Sequence, residues 1–176
     1  MNDAFNPDRA KRILADSIIF VFADMAFIDV EQRTEASPGS RATNGDPLKP
    51  GFPSAIGEPS FENERRAAID VLSPLSCRIE LKINTPLRDR ILETLFGDGM
   101  DQEQKKAAED PLLEMLNIIA GSFLSSYFGS GTNIQLELPR YLYLGEVSSG
   151  QSVSSILMDA EGQSLEATIS SVRYRY

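Results

Sequence analysis

Apolar residues recur at helical spacing in two long segments of the chain. The first segment covers residues 6 to about 30, where Asn6 and Pro7 supply an N-cap followed by a first-turn proline. The second covers residues 111–128 and is followed by Gly129 and Gly131, a residue type that commonly closes helices. The pattern therefore predicts two long amphipathic helices, the second with the stronger periodicity.

Alternating apolar and polar residues predict strands between and after these helices. In residues 77–84, Ile79, Leu81 and Ile83 alternate with charged side chains, the pattern of a half-buried strand. Further strands are predicted at residues 67–72, 133–138, 142–147, 152–158 and 163–176, with turns at Ser73-Pro74 and Glu161-Gly162. Between the strands, Thr85-Pro86 is expected to cap a short helix that stops at Gly97. Residues 102–109 are polar and helix-prone.

The order of these elements predicts an α+β fold with a largely antiparallel sheet packed against two long helices. Each half of the chain combines a long apolar helix with strands, which suggests an internal pseudo-repeat. Residues 34–63 interrupt the pattern, because they are rich in proline and glycine and lack apolar periodicity. We therefore expect a single domain over residues 1–176 with a mobile loop insertion at about 34–63. That loop is either a dispensable insertion or a binding segment.

Charge and composition argue against several classes of function. The chain has 26 acidic and 17 basic side chains, a formal net charge of -9, so it should repel nucleic-acid phosphates and anionic membranes. No apolar run reaches the roughly 18 residues of a membrane helix. The sequence has no histidine and one cysteine, Cys77, which argues against a metal site, a disulfide framework and a Ser-His-Asp triad. We expect a reduced, cytoplasmic, globular protein that binds no metal or other cofactor itself.

The helix predicted at residues 111–128 has two faces of different chemistry. A helical projection places these residues on one broad, core-facing arc: Leu112, Leu113, Leu116, Ile119, Ala120, Phe123, Leu124 and Tyr127. The opposite ridge holds Glu114, Asn117, Ile118, Gly121 and Ser125. Glu114 and Asn117 are neighbours at i,i+3, so both side chains can address one target. An exposed Ile118, and a glycine that costs a helix about 1 kcal/mol relative to alanine, suit a surface that another backbone approaches.

Most of these residues also have an ordinary structural interpretation. Asp110 precedes Pro111, and its favoured role is that of helix N-cap. Glu114, in the first turn, would stabilise the positive end of the helix dipole. Gly121 would let a second helix pack closely, whereas Asn117 is a mediocre helix former with no capping role. The physical pattern alone therefore indicates a docking face.

The segment DPLLEMLNIIAG, residues 110–121, resembles the signature of the CheC/CheX chemotaxis phosphatase family. In that pattern an Asp or Ser is followed by three residues, a Glu, two residues and an Asn, and Asp110, Glu114 and Asn117 fill these places. The order of helices and strands is also similar to the CheX arrangement. The opening helix has Asp16 and Asp24 but no matching asparagine, so the resemblance implies one site per chain, as in CheX-like proteins, and a homodimer.

The resemblance implies an enzyme, a phosphatase that hydrolyses the phosphoaspartate of a CheY-like response-regulator receiver domain. Asn117 would position the attacking water and Glu114 would pair with a lysine of the receiver, with Asp110, Ile118 and Gly121 at the docking surface. The Mg²⁺ ion would belong to the phosphorylated receiver. Two alternatives remain open: a non-catalytic module that binds a receiver or another signalling protein, and a structural dimerisation domain with a helix–helix seam at Ile118 and Gly121.

Overall fold

The structure, a computed structural model, describes residues 5–33, 64–97, 111–143 and 152–172. In these residues the chain forms three helices and one antiparallel sheet of seven strands, so the predicted α+β class is confirmed. The loop predicted at 34–63, the polar segment 102–109 and Asp110 lie outside the described residues. None of the described helices is long and apolar enough to cross a membrane.

Helix α1, Pro7–Ala26, begins as the sequence predicts. The Asn6 side chain accepts a hydrogen bond at 3.0 Å from the backbone N–H three residues later. The predicted end near residue 30 is wrong. Phe27 adopts a left-handed conformation with φ 52°, and its N–H donates to the Phe22 carbonyl, which closes the helix. The chain then enters strand β1, Val30–Gln32. The periodicity misses this stop because the next residues are still apolar.

Two more helices follow. Helix α2, Thr85–Phe96, ends at Gly97 as predicted, but its N-cap is Asn84, whose side-chain oxygen accepts the Leu87 N–H at 3.1 Å. The prediction that Thr85-Pro86 caps this helix is therefore wrong by one residue, since asparagine caps at least as well as threonine and Pro86 suits the first turn. Helix α3, Pro111–Phe128, has the predicted bounds.

The remaining strands complete the sheet. They are β2 Arg65–Ser73, β3 Cys77–Ile83, β4 Gln135–Leu136, β5 Arg140–Tyr141, β6 Ser152–Ala160 and β7 Gln163–Ser171. Their order is β1-β6-β7-β3-β2-β4, and β5 also pairs with β2. The strand predicted at 142–147 is displaced, because β5 ends before residue 142 and residues 144–147 lie outside the described residues.

The strand order is consistent with the predicted pseudo-repeat. The hairpins β2–β3 and β6–β7 meet at the centre of the sheet, where β3 pairs with β7. Strand β1, which follows α1, pairs with the hairpin of the second half. Strands β4 and β5, which follow α3, pair with the hairpin of the first half. Each half therefore supplies a long helix, a short outer strand or strand pair, and a hairpin.

Helices α1 and α3 pack side by side and antiparallel against one face of the sheet. Tyr127, near the end of α3, links the two helices: its hydroxyl accepts the Asn6 N–H at 2.7 Å and its carbonyl accepts the Arg9 guanidinium at 3.0 Å. The same guanidinium lies 4.7 Å from the centre of the Tyr127 ring, a cation–π contact. These contacts join the start of α1 to the end of α3, and the core forms between this helix pair and the sheet.

The other face of the sheet carries charged side chains from the central strands. Arg78 on β3 donates two hydrogen bonds to Asp70 on β2, at 2.6 Å from Nε and 2.8 Å from Nη2, and both side chains are buried. Arg66 also bonds Glu80 at 2.9 Å. The strands alternate as half-buried strands should, with apolar residues toward the helices and polar residues on the opposite face.

Candidate functional site

Helix α3 is held in place by one broad buried face. Its buried residues are Pro111, Leu112, Met115, Leu116, Ile119, Ala120, Phe123, Leu124 and Tyr127. The predicted core arc is confirmed, except that Leu113 is only partly buried and Met115 is added. Met115 lies beyond the predicted arc because α3 contacts both α1 and the sheet, so more of its circumference is covered than a single contact line would cover. This packing fixes which side chains face outward.

The opposite ridge of α3 carries the side chains that the sequence singles out. Glu114 and Ser125 are exposed, Ile118 is 38% exposed, and Asn117 and Gly121 are of intermediate exposure. Because residues three and four apart share a helix face, Glu114 and Asn117 lie side by side. No residue in the described ranges forms a hydrogen bond or ion pair with either of these two side chains. With respect to the described part of the chain, the carboxylate and the carboxamide are therefore both available to a partner.

Gly121 lies one helical turn beyond Asn117 on the same ridge. A Cβ atom built on this glycine would meet no described heavy atom within 4 Å. No described element packs closely against this position, so the interpretation that Gly121 lets a second helix approach stays a prediction. Its backbone needs no positive φ either, so the helix accepts a glycine there without a local reason. The result is a strip of nearly bare backbone beside the polar pair.

The chemistry open to this ridge is that of docking and hydrogen bonding. A carboxylate accepts charge-assisted hydrogen bonds from an ammonium or guanidinium group, and a carboxamide both donates and accepts without titrating near neutral pH. Among the residues that the structure describes, no group of three or more His, Cys, Asp and Glu side chains could hold a metal ion.

Comparisons with known proteins agree on the fold. No protein-family model and no curated protein matches the sequence. The chemotaxis protein CheX from Desulfovibrio desulfuricans is 14% identical, and the match covers 91% of this chain and 97% of that chain with a TM-score of 0.61. A CheC-like superfamily protein from Shewanella is 17% identical over 94% and 98% of the two chains, with a TM-score of 0.56.

A third match is a CheX–CheY–BeF3–Mg complex from Borrelia burgdorferi, 14% identical over 95% of this chain and 98% of that chain, with a TM-score of 0.61. The chain has a CheX-like fold. The α+β, CheX-like arrangement that the sequence suggests is thereby confirmed at the level of the fold. At 14–17% identity the comparison shows a shared fold only. The chemistry of the site must therefore be argued from Glu114, Asn117 and their neighbours on α3.

The structure describes the positions of four of the five residues predicted for the site. The structure brings Glu114, Asn117, Ile118 and Gly121 together on one outward ridge of α3. Asp110, predicted as helix N-cap or docking residue, lies outside the described residues, so both of its roles remain predictions. The catalytic and docking roles of the other four also remain predictions at this point.

Two exposed aromatic residues of this chain are not among the residues that the sequence predicts for the site. Phe20 and Phe27 on the α1 side of the helix pair are 62% and 76% exposed. A sequence feature could have identified Phe20, because it lies off the apolar stripe of α1. Ile18 and Phe22 lie on that stripe and are fully buried. Large side chains off the stripe of an amphipathic helix are candidates for contact with another molecule.

Cys77, the single cysteine, is not part of the ridge. It is buried on the core side of β3, where burial raises the pKa of its thiol to about 12, with the nearby Asp70 carboxylate adding to the shift. Thiolates rather than thiols are nucleophiles and metal ligands. Cys77 therefore packs in the core as a protonated thiol.

Proposed function

We propose that this protein is an aspartyl-phosphate phosphatase that acts on a CheY-like receiver domain. The observation that carries the proposal is the outward-facing Glu114–Asn117 pair, neither side chain of which has a partner among the described residues. The CheX-like fold supports it, since one of the matching structures is a CheX–CheY complex that includes BeF3 and Mg. The family resemblance at residues 110–121 assigns the same two residues.

The reaction requires little covalent chemistry from the protein. A water molecule attacks phosphorus opposite the aspartyl oxygen, the bond between phosphorus and that oxygen breaks, and the products are a free aspartate and inorganic phosphate. The Asn117 carboxamide would accept a hydrogen bond from the water and hold it in line. Glu114 would accept a charge-assisted hydrogen bond from a lysine of the receiver, which fixes the docked orientation. The Mg²⁺ ion, held by the receiver, would neutralise phosphoryl charge.

Phosphate release from phosphorylated receivers tests this function. Purified protein is mixed with Mg²⁺ and each CheY-type receiver domain of the same genome, phosphorylated with acetyl phosphate. Asn117→Ala should reduce the accelerated rate roughly tenfold or more, about 1.4 kcal/mol in the barrier, while docking is retained. Glu114→Ala should chiefly raise the receiver concentration needed for half-maximal rate. Ser126→Ala, at an exposed position of α3 that lies off this ridge, is the matched control and should behave as wild type.

The non-catalytic alternative gives a different result in the same assay. A binding module would dock the phosphorylated receiver without accelerating phosphate release, and Asn117→Ala would change neither quantity. If no receiver of the genome loses its phosphate faster in the presence of the wild-type protein, the phosphatase proposal fails. A homodimer is also part of the proposal, and its molar mass in solution can be measured by light scattering.

A further inference from the structure

The outward face of α1 carries an apolar ridge that the fold itself does not use. Asp16, Phe20, Ala23 and Phe27 follow one another at intervals of four, three and four residues, the spacing of one helix face, and all four are exposed. Phe20 and Phe27 are 62% and 76% exposed. We call Phe20, Ala23 and Phe27 the α1 ledge. The ledge leaves two phenylalanine rings in solvent, where they contribute little to the core.

Phe27 is also an unfavourable choice for its backbone. It closes α1 in the left-handed region at φ 52°, where glycine is preferred and a bulky side chain costs roughly 1–2 kcal/mol. Neither core packing nor capping geometry explains a phenylalanine there, because the ring is exposed and a glycine would cap better. A contact with another molecule would explain it.

The ledge lies beside the Glu114–Asn117 pair. Tyr127 contacts Asn6 and Arg9, so these positions are level on the antiparallel helices. Glu114 lies thirteen residues before Tyr127 on α3. Because the helices are antiparallel and rise equally per residue, it is level with the positions thirteen residues after Asn6 and Arg9 on α1, which are 19 to 22 and include Phe20. Packed helix axes are about 8–10 Å apart, so Phe20 and the polar pair fit within the roughly 800 Å² that one partner of a standard protein interface covers.

Charge distribution identifies the kind of partner. Residues 16–30 contain Asp16, Asp24 and Asp29 but no lysine or arginine, and residues 111–128 contain Glu114 and no base. The basic residues of α1, Arg9, Lys11 and Arg12, all lie at its other end. The outer surface that the described residues of α1 and α3 form around Phe20 and Glu114 is therefore acidic and apolar. Its complement is a protein surface with lysine or arginine side chains next to apolar ones.

We propose that the α1 ledge is a second contact for the receiver, so that one receiver domain docks across α1 and α3 with an apolar patch on Phe20 and Phe27 and its phosphate site at Asn117. This inference rests on the proposed function, because the receiver is its partner. The ledge supplies affinity and orientation, and Asn117 supplies the chemistry. Large aromatic residues at the centre of an interface typically contribute much of its binding energy.

The test measures binding separately from catalysis. The full-length protein is titrated with the receiver that passes the phosphate-release assay, loaded with Mg²⁺ and BeF3⁻ so that no hydrolysis occurs. Phe20→Ala should weaken the Kd roughly tenfold. Phe27→Gly should also weaken it while leaving the melting temperature unchanged or higher, because glycine relieves the left-handed backbone. Leu72→Ala, an exposed apolar residue on the opposite face of the sheet, is the control and should bind as wild type.

The outcomes separate the inference from the function on which it rests. If the receiver binds and both phenylalanine variants match wild type and Leu72→Ala, the ledge is not a docking surface, although the phosphatase proposal survives. If Phe20→Ala lowers the molar mass of the protein in solution but leaves the Kd unchanged, the ledge is covered by a second copy of this chain and the inference is wrong. If no receiver binds or loses phosphate, the proposed function fails and takes the inference with it.

Discussion

Replacing Gly121 by alanine should make the protein more stable and less active. The residue lies in the interior of α3 at a helical φ, and a Cβ there meets no described heavy atom within 4 Å. Alanine therefore gains the helix propensity difference without a steric cost, which amounts to about 0.8–1.0 kcal/mol. For a chain of this length that corresponds to a rise in melting temperature of about 2–4 °C.

The expected loss of activity has a separate cause. Gly121 lies one turn from Asn117 on the proposed docking ridge, so an added methyl group would stand between the helix and a docked receiver backbone. A displacement of about 1 Å at the reacting centre can reduce a rate a hundredfold, and we expect phosphate release to fall at least tenfold. An ordinary stabilising helix substitution would not have this second effect.

Two measurements on the same samples test both halves. Thermal unfolding by circular dichroism, at one fixed protein concentration, gives the melting temperature, and phosphate release from a phosphorylated receiver gives the rate. Ser126→Ala is the control, since it should add about 0.5 kcal/mol of helix propensity to α3 at an exposed position off the docking ridge. A lower melting temperature for Gly121→Ala would refute the open environment assigned to this glycine. Unchanged activity would refute its place in the docking surface.

Two further predictions concern the sheet. Asp70→Ala should lower the free energy of unfolding by about 3 kcal/mol in urea titrations, because the buried Arg78 guanidinium loses its carboxylate. Replacing Asp70 by Leu and Arg78 by Met together should cost clearly less, because no unpaired charge is left buried. An equal cost for the single and the double variant would contradict this argument. Cys77 should resist a thiol reagent at about pH 8 until the protein unfolds, because burial raises its thiol pKa to about 12. By linkage, this raised pKa makes the free energy of unfolding fall as pH rises above the unfolded value of about 9. If the folded protein is labelled as fast as an exposed thiol would be, the buried position of Cys77 is contradicted.

Local patterns in the sequence determine most of the fold. The bounds of α3 follow from its apolar periodicity and from Pro111, and the hairpin of β6 and β7 follows from alternation and the Glu161-Gly162 turn. The end of α1 could not be derived in this way, because the decision is made by the backbone of Phe27 and not by any change in hydrophobicity. The cap of α2 was misplaced by one residue for a similar reason, since Asn84 and Thr85 are both good N-caps.

The site, too, is predicted by local sequence patterns only in part. Helical geometry predicts which residues share the ridge of α3, and burial confirms it for Glu114, Asn117, Ile118 and Gly121. The neighbourhood of the ridge depends on which helix packs beside α3 and in which direction. That arrangement is set by contacts between residues more than a hundred positions apart, such as Asn6 and Tyr127. No local pattern contains this information, so the sequence alone does not show that Phe20 lies next to this ridge.

The pseudo-repeat sharpens the expectation of one catalytic site per chain. The paired buried positions of α1, residues 17–18 and 21–22, match residues 115–116 and 119–120 of α3. In this alignment Asp16 corresponds to Glu114 and Phe20 to Ile118, but the counterpart of Asn117 is Ile19, which cannot orient water through hydrogen bonds.

Asn117→Ala should therefore remove nearly all of the activity rather than half of it. The ratio of single-turnover rates for Asn117→Ala and wild type measures this directly. A residual rate near one half would mean that α1 carries a second site built without an asparagine. That result would overturn the expectation of one catalytic site per chain.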